Sequence, residues 1–280
     1  KLGLAQGRCG CHTLAMNPLD TRSTRADSTV NPDLPPVRFD AGRHPRGKIG
    51  YVLLATEQTV QDDVIRLTPP GIGLHFTRVR NADSITVESL TDVAEDLARA
   101  ASVVLPDGSL DVISYACTSG SLVLGEERVF ELLAQGAPNA KTSSLITGVI
   151  RALRAFEVKR VVVCTPYVDA VNQREVDYLE ARGIEVAGIY GLGLEFDSQM
   201  VRVPPDFLTE YAVAASAKHP DADALFFSCG AMRSVEIVDE LERRLGKPVV
   251  VSNQAMIWDC LRLLGVSDRI DGFGRLFREF

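Results

Sequence analysis

The sequence predicts an α/β protein of two pseudo-twofold-related domains, each a mostly parallel four-stranded sheet flanked by helices, with the active site in the cleft between them. Three observations predict it. From Lys48 onward, short apolar runs alternate with stretches of helical periodicity, the signature of strand–helix–strand units. Landmarks recur at a nearly constant spacing: Lys48-Ile-Gly-Tyr-Val-Leu-Leu-Ala answers to Lys159-Arg-Val-Val-Val-Cys-Thr-Pro, and Gly71-Ile-Gly-Leu-His-Phe to Gly183-Ile-Glu-Val-Ala-Gly. At that same spacing Cys117, in Asp-Val-Ile-Ser-Tyr-Ala-Cys-Thr-Ser-Gly-Ser, answers to Cys229, in Asp-Ala-Leu-Phe-Phe-Ser-Cys-Gly-Ala-Met-Arg-Ser.

The elements follow in order. Residues 1–46, rich in Asp, Arg, Ser, Thr and Pro and lacking either period, read as an extended arm without the apolar stretch of a secretory signal. The first domain, 47–157, has strands expected at 48–55, 72–79, 111–117 and 139–143, and helices near 59–68, 87–103, 122–135 and 144–156. The second, 158–280, has strands at 159–164, 184–190, 223–229 and 248–252, and helices near 168–181, 204–217, 231–245 and 253–264. Gly188-Ile-Tyr-Gly-Leu-Gly193 lacks the spacing of a dinucleotide fingerprint and reads as a tight turn. Met256 and Trp258 read as packing residues. Ligands of open parallel sheets sit beyond the carboxyl ends of the strands, where both Cys117 and Cys229 fall.

Composition narrows the function. At 280 residues, 46% hydrophobic and 24% charged, the chain can bury two cores of ordinary domain size. A net charge of −7 gives no footprint for nucleic acid and no basic face for anionic lipid. No apolar run has the roughly 20 residues of a membrane helix, so a small solute is the expected partner. The six cysteines, Cys9, Cys11, Cys117, Cys164, Cys229 and Cys260, form neither a disulfide framework nor a zinc pattern, which suits a reducing, cytoplasmic setting. The four histidines, His12, His44, His75 and His219, sit beside no nucleophile motif. There is no P-loop.

A lone cysteine at a strand end is usually a small buried hydrophobe, and Cys164 and Cys260 read that way. The shared context of Cys117 and Cys229 points instead to function. Each is expected just before a helix, whose N-terminal amides favour the thiolate. Two thiols on opposite faces of one molecule can remove and deliver a proton, inverting a stereocentre. Alternatively one thiolate can add to an activated double bond, allow rotation and leave. Either route builds negative charge beside a carboxylate and needs donors, for which Thr118, Ser119, the Gly230 and Ala231 amides, and the Thr165-Pro-Tyr167 turn are candidates.

Tyr115-Ala-Cys-Thr-Ser-Gly-Ser, Val163-Cys-Thr-Pro-Tyr167 and Ser228-Cys-Gly-Ala-Met-Arg resemble the aspartate/glutamate racemase superfamily. Within it they are most similar to the branch of maleate cis-trans isomerase, arylmalonate decarboxylase and the ectoine-utilisation protein. The resemblance spans about residues 46–275. It implies two Rossmann-like halves, catalysis without a cofactor or metal, a small carboxylate substrate and a homodimer or homotetramer. By motif, Cys117 resembles the attacking thiolate and Cys229 the thiol that gives or takes the proton, while Thr118, Ser119, Tyr167 and Gly230 resemble the residues holding a substrate carboxylate. Arylmalonate decarboxylase keeps only the second cysteine, so the pair favours a racemase or isomerase. A decarboxylase using Cys229 alone and a non-catalytic binding protein are the alternatives.

Two departures bear on the substrate. Where maleate isomerases carry a Pro-Ser-Ser-Asn-Thr loop, this chain has Leu54-Ala-Thr-Glu-Gln-Thr59, which brings Glu57 or Gln58 to the place of the substrate-binding amide. Where they carry an Asp-Asn pair, it has Asp197 followed by Ser198. A carboxylate in the first loop repels a dicarboxylate and welcomes an amino group. These changes favour an amino-acid-like or N-acylated substrate, such as ectoine breakdown would supply.

Overall fold

The computed structural model describes residues 35–280, and residues 41–280 form one compact unit. Most of the expected arm, including Cys9, Cys11 and His12, lies outside the described residues. The compact unit takes in the last residues of that arm, because Arg46 donates its backbone N–H to the Gly71 carbonyl at 3.1 Å and its guanidinium to Asp268 at 3.0 Å.

Two four-stranded parallel sheets carry the chain. In the first, β1 (Lys48–Leu54) lies between β2 (Gly73–Val79) and β3 (Val112–Tyr115), and β4 (Lys141–Ser144) borders β3. In the second, β5 (Arg160–Thr165) lies between β6 (Glu185–Gly191) and β7 (Ala224–Phe227), and β8 (Val249–Val251) borders β7. Equivalent strands thus take equivalent places. Ile49 pairs with Val112 in the first sheet and Val161 with Ala224 in the second. The inner strands β5 and β7 are unbroken apolar runs, as parallel strands covered on both faces must be: Val161 to Cys164 and Ala224 to Phe227 are fully buried, and so is the edge strand Val249 to Val251. One irregularity separates the halves, a register shift between Val161 and Val162 that leaves Ala187 unpaired and brings Val162 opposite Gly188.

The connecting helices are α1 (Val60–Leu67), α2 (Val87–Asp92), α3 (Ala94–Ser102), α4 (Thr118–Leu124), α5 (Glu126–Gly136) and α6 (Leu145–Ala155) in the first half. The second half has α7 (Asp169–Glu180), α8 (Asp197–Met200), α9 (Pro205–Ala217), α10 (Val238–Leu245), α11 (Ser252–Leu264) and the terminal α12 (Arg275–Glu279). Among the described residues, no helix is long and apolar enough to cross a membrane.

Three local expectations are corrected. The helix expected at 122–135 starts directly after Cys117, because the Cys117 sulfur accepts the Gly120 N–H at 3.2 Å and caps the first turn. It then breaks at Gly125, whose φ of 81° ends α4 before α5 begins. The helix expected at 231–245 starts only at Val238, after a 3₁₀ segment Ser234–Ile237, so Cys229 is followed by irregular backbone. The glycine-rich segment is no simple turn, since Gly188 to Gly191 run inside β6 and the chain turns at Gly193, with φ 69°.

The halves meet at α6 and α11. A Cβ on Gly148 of α6 would stand 2.7 Å from both the Ala255 carbonyl oxygen and the Met256 Cα of α11, so only glycine permits this backbone approach. Beside it Asp259, buried on α11, accepts the Arg151 guanidinium at 2.8 Å and the Ser143 hydroxyl at 2.6 Å. Met256 and Trp258 are buried on the same helix, as the pattern of that segment implied.

Candidate active site

Cys117 and Cys229 line the same narrow cavity, at the carboxyl ends of β3 and β7. A larger cavity beside Arg151, Arg154 and Arg182 holds neither thiol. The chemistry converges on the smaller one.

Each half presents its thiol differently. Besides the Gly120 N–H, Cys117 Sγ has the Ser119 hydroxyl at 3.6 Å. Cys229 adopts φ 95°, a conformation rare for a residue with a side chain. Its sulfur accepts the Ala231 N–H at 3.3 Å and touches the Met200 sulfur at 3.9 Å, and its own N–H donates to the Ser252 hydroxyl at 3.0 Å. Ser252 Oγ is also 3.2 Å from Thr118 Oγ1, so one serine at the start of α11 bridges both cysteine turns.

Burial dominates the thiol chemistry. It pushes Cys117 up to about 11 against the opposing pull of the Gly120 amide and the Ser119 hydroxyl. It pushes Cys229 further, aided by the negative charge of Asp197 and resisted by the Tyr167 hydroxyl and the Ala231 amide. The expectation of lowered thiols gives way here because burial penalises the thiolate by more than a few amides return. Cys117 is the easier of the two to ionise.

The other expected site residues divide sharply. Thr118, Ser119, Tyr167, Gly230, Ala231 and Glu57 all line the cavity with the thiols. Gln58 does not, being exposed while its neighbour Glu57 turns inward. Ser198 is likewise outside, exposed and turned away, with its N–H and hydroxyl bound to the Asp83 carboxylate at 3.0 and 2.6 Å. Asp197 takes the inward place beside it, accepting the Thr56 hydroxyl at 2.5 Å, and desolvation pushes its carboxyl up to about 6.

Glu57 is held rigidly. Its Oε1 accepts the Thr59 and Val60 N–H groups and the Thr59 hydroxyl at the start of α1, while Oε2 is buried without a hydrogen-bond partner. The Gly230 carbonyl is turned away from the thiols, accepting the Thr59 hydroxyl and, at 2.9 Å, the Asn253 amide.

Loops from both halves close the top. Ser84 and Phe196 form an antiparallel bridge, the Ile85 N–H reaches the Glu195 carbonyl at 2.8 Å, and the Asp197 N–H reaches the Asp83 carbonyl at 3.0 Å. Ile85 and Asp197 both face the cavity beneath this clasp.

Ser252, Asn253 and the role of Asp197 escaped the sequence reading. The available signal for the first two was Val-Val-Val-Ser-Asn, a buried parallel strand ending in polar residues at its carboxyl end. Among the described residues, no group of three or more His, Cys, Asp or Glu is arranged to hold a metal ion.

Comparison with known proteins agrees with this architecture. The arylmalonate decarboxylase family model matches residues 70–277. Arylmalonate decarboxylase of Bordetella bronchiseptica is 33% identical over 240 residues, covering 82% of this chain and 96% of that protein. Maleate isomerase of Nocardia farcinica is 30% identical over 244 residues, covering 83% of this chain and 96% of its own. A cysteine-to-serine mutant of the Nocardia farcinica maleate cis-trans isomerase, solved with a covalently bound succinylcysteine intermediate, superposes with a TM-score of 0.74 at 27% identity, over 84% of this chain and 99% of that one. With its paired sheets and cysteine turns, the chain belongs to the arylmalonate decarboxylase family, within the aspartate/glutamate racemase-like superfamily.

Proposed function

We propose that the protein is a cofactor-independent racemase or cis-trans isomerase in which Cys117 and Cys229 act together on a small carboxylate, an amino-acid derivative or a maleate-like dicarboxylate. The observation that carries this reading is the sharing of one closed cavity by both thiols, walled by hydroxyls and amides. In the racemase form one thiolate takes the α-proton, and the other thiol delivers its proton to the opposite face. In the isomerase form the Cys117 thiolate adds to the double bond as Cys229 protonates the neighbouring carbon. Rotation and the reverse elimination then release the product and restore both groups. Tyr167, Thr118 and Ser119 supply donors to the charge that builds on the substrate carboxylate. Burial, with the Asp197 charge adding to it, favours the protonated form of both thiols in the empty cavity.

The identity to arylmalonate decarboxylase supports a second reading, loss of carbon dioxide with Cys229 alone as proton donor. Proton NMR in deuterated water, over amino acids, N-acyl diamino acids, maleate and arylmalonates, separates the two. Deuterium entry at the α-carbon, or conversion of maleate to fumarate, that is lost in both Cys117→Ser and Cys229→Ser supports the two-thiol reading. Product formation that survives Cys117→Gly supports decarboxylation. An absence of turnover across the panel, with Cys117 and Cys229 alkylated no faster than Cys260, sinks both.

A further inference from the structure

We infer that Glu57 and Asp197 form a subsite for a protonated nitrogen, so that the substrate of this cavity is a carboxylate that also carries an ammonium group. The inference rests on the two-thiol reading above and narrows its substrate to the amino class.

Glu57 and Asp197 both line the cavity, and among the described residues no lysine, arginine or histidine lines it with them. Each is only 6% exposed, so water does little to screen them. Glu57 Oε1 has its donors at the start of α1, but a buried carboxyl oxygen left without one is costly, and that describes Oε2.

Geometry then says where that partner belongs. The start of α1 fixes Glu57 through Oε1 alone, which leaves Oε2 buried and unpartnered on a residue of the cavity wall. Asp197 is anchored through Oδ2 by the Thr56 hydroxyl, which belongs to the same loop as Glu57. Two carboxyl groups on the wall of one cavity that has no cationic side chain make a receptor for an N–H⁺ group with several donors.

The other lining residues complete the specificity. Thr118, Ser119 and Tyr167 bring hydroxyls beside the thiols, suited to the substrate carboxylate. A second carboxylate on the substrate would meet Glu57 and Asp197 directly. A like-charge contact in a desolvated site is strongly unfavourable, so the pair selects against dicarboxylates as well as for amines.

Matched ligands test this. Alanine, β-alanine and γ-aminobutyrate are each compared by calorimetry at pH 7.5 with the carboxylate that has methyl in place of ammonium: isobutyrate, butyrate and valerate. The dicarboxylate of the same shape completes each set: methylmalonate, succinate and glutarate. For at least one spacing, the amino member is expected to bind the wild-type protein at least tenfold more tightly than its methyl counterpart, with the dicarboxylate weakest. Glu57→Gln, which keeps an oxygen for the Thr59 and Val60 amides, is expected to remove most of that preference, and Asp197→Asn to reduce it. Equal or tighter binding of a dicarboxylate by the wild type overturns the subsite, as does an amino preference unchanged in both variants. In either case the two-thiol reading stands, because carboxylates still bind. If no carboxylate of any set binds, and none protects Cys117 from alkylation, the subsite and the two-thiol reading fail together.

Discussion

The hydroxyl of Thr118 lies 3.2 Å from that of Ser252, and Ser252 in turn accepts the Cys229 N–H at 3.0 Å. The residue after the first thiol and the backbone of the second are therefore tied to a single side chain on α11. This gives the two cysteines a common reference that neither half supplies alone.

Ser252→Ala removes that link and leaves the buried Cys229 N–H without an acceptor. A buried donor orphaned in this way costs about 1–3 kcal/mol, so the urea midpoint should fall by a corresponding amount. Turnover of whichever substrate is accepted should drop by more than its apparent affinity. An unchanged midpoint together with unchanged turnover would show that the bridge has no structural weight.

Thiol reactivity should follow burial and pH. Only the thiolate is alkylated, and below its pKa the thiolate fraction rises tenfold per pH unit. With Cys117 pushed up to about 11 and Cys229 higher, iodoacetamide should label Cys117 first, at a rate still climbing between pH 8 and pH 10. Cys164, pushed up to about 12 by burial alone, and Cys260 should lag. Peptide mass spectrometry reads the order directly, and earlier labelling of Cys229 contradicts it.

Glu175 should make the fold acid-stabilised. It is fully buried on α7, accepts the Ser228 hydroxyl at 2.6 Å through one oxygen, has no partner for the other, and is pushed up from 4.5 to about 7 by desolvation. The folded chain keeps a proton that the unfolded chain gives up, so the stabilisation is full below about pH 4.5 and is lost as pH rises through about 7. One such group is worth about 3 kcal/mol across that window. Asp63 and Asp197, also raised by desolvation, act in the same direction. Melting temperature should therefore be higher at pH 5.5 than at pH 8, and Glu175→Gln should flatten the difference. A protein equally stable at both pH values would refute the assignment.

The backbone at Cys229 yields a comparison of two substitutions. With φ at 95°, a β-carbon there is strained. Cys229→Gly should be more stable than Cys229→Ala by about 1–2 kcal/mol, although both lose the thiol. Chemical denaturation of the two variants decides it, and equal midpoints would show that the turn holds its shape without strain.

Much of this was legible in the residues. The inner strands β5 and β7 follow from unbroken apolar runs, which parallel strands covered on both faces require, whereas β4, Lys-Thr-Ser-Ser, has no such run. The repeat of Lys48 at Lys159 and of Cys117 at Cys229 revealed the duplication before any coordinates. The pooling of Thr118, Ser119, Tyr167, Gly230 and Ala231 around the thiols follows from the rule that ligands sit beyond strand carboxyl ends. What failed was orientation within loops. The Glu57 carboxyl is held by Thr59 and Val60 close by in sequence, a local helix-start contact that the motif comparison passed over. Asp197 enters the cavity while Ser198 turns to Asp83 through contacts with the other half, which nothing local tells. Ser252 was hidden for that reason, since its partners Thr118 and Cys229 are remote in sequence. The thiol pKa direction was misjudged because amides near a sulfur are visible in a motif and the depth of its burial is not.

The approach of α6 to α11 at Gly148 has a further consequence when set beside the clasp of Ser84 and Phe196. Backbones in van der Waals contact cannot be spread without breaking the buried Asp259 cluster next to them, so the scaffold has no soft seam at its base. At the rim a handful of hydrogen bonds between loops join the two halves. Those loops hold Ile85 and Asp197, and they belong to neither sheet. Part of the cavity wall thus lies outside the scaffold, where exchange of a few residues alters the lining while the paired thiols below stay on their strand ends.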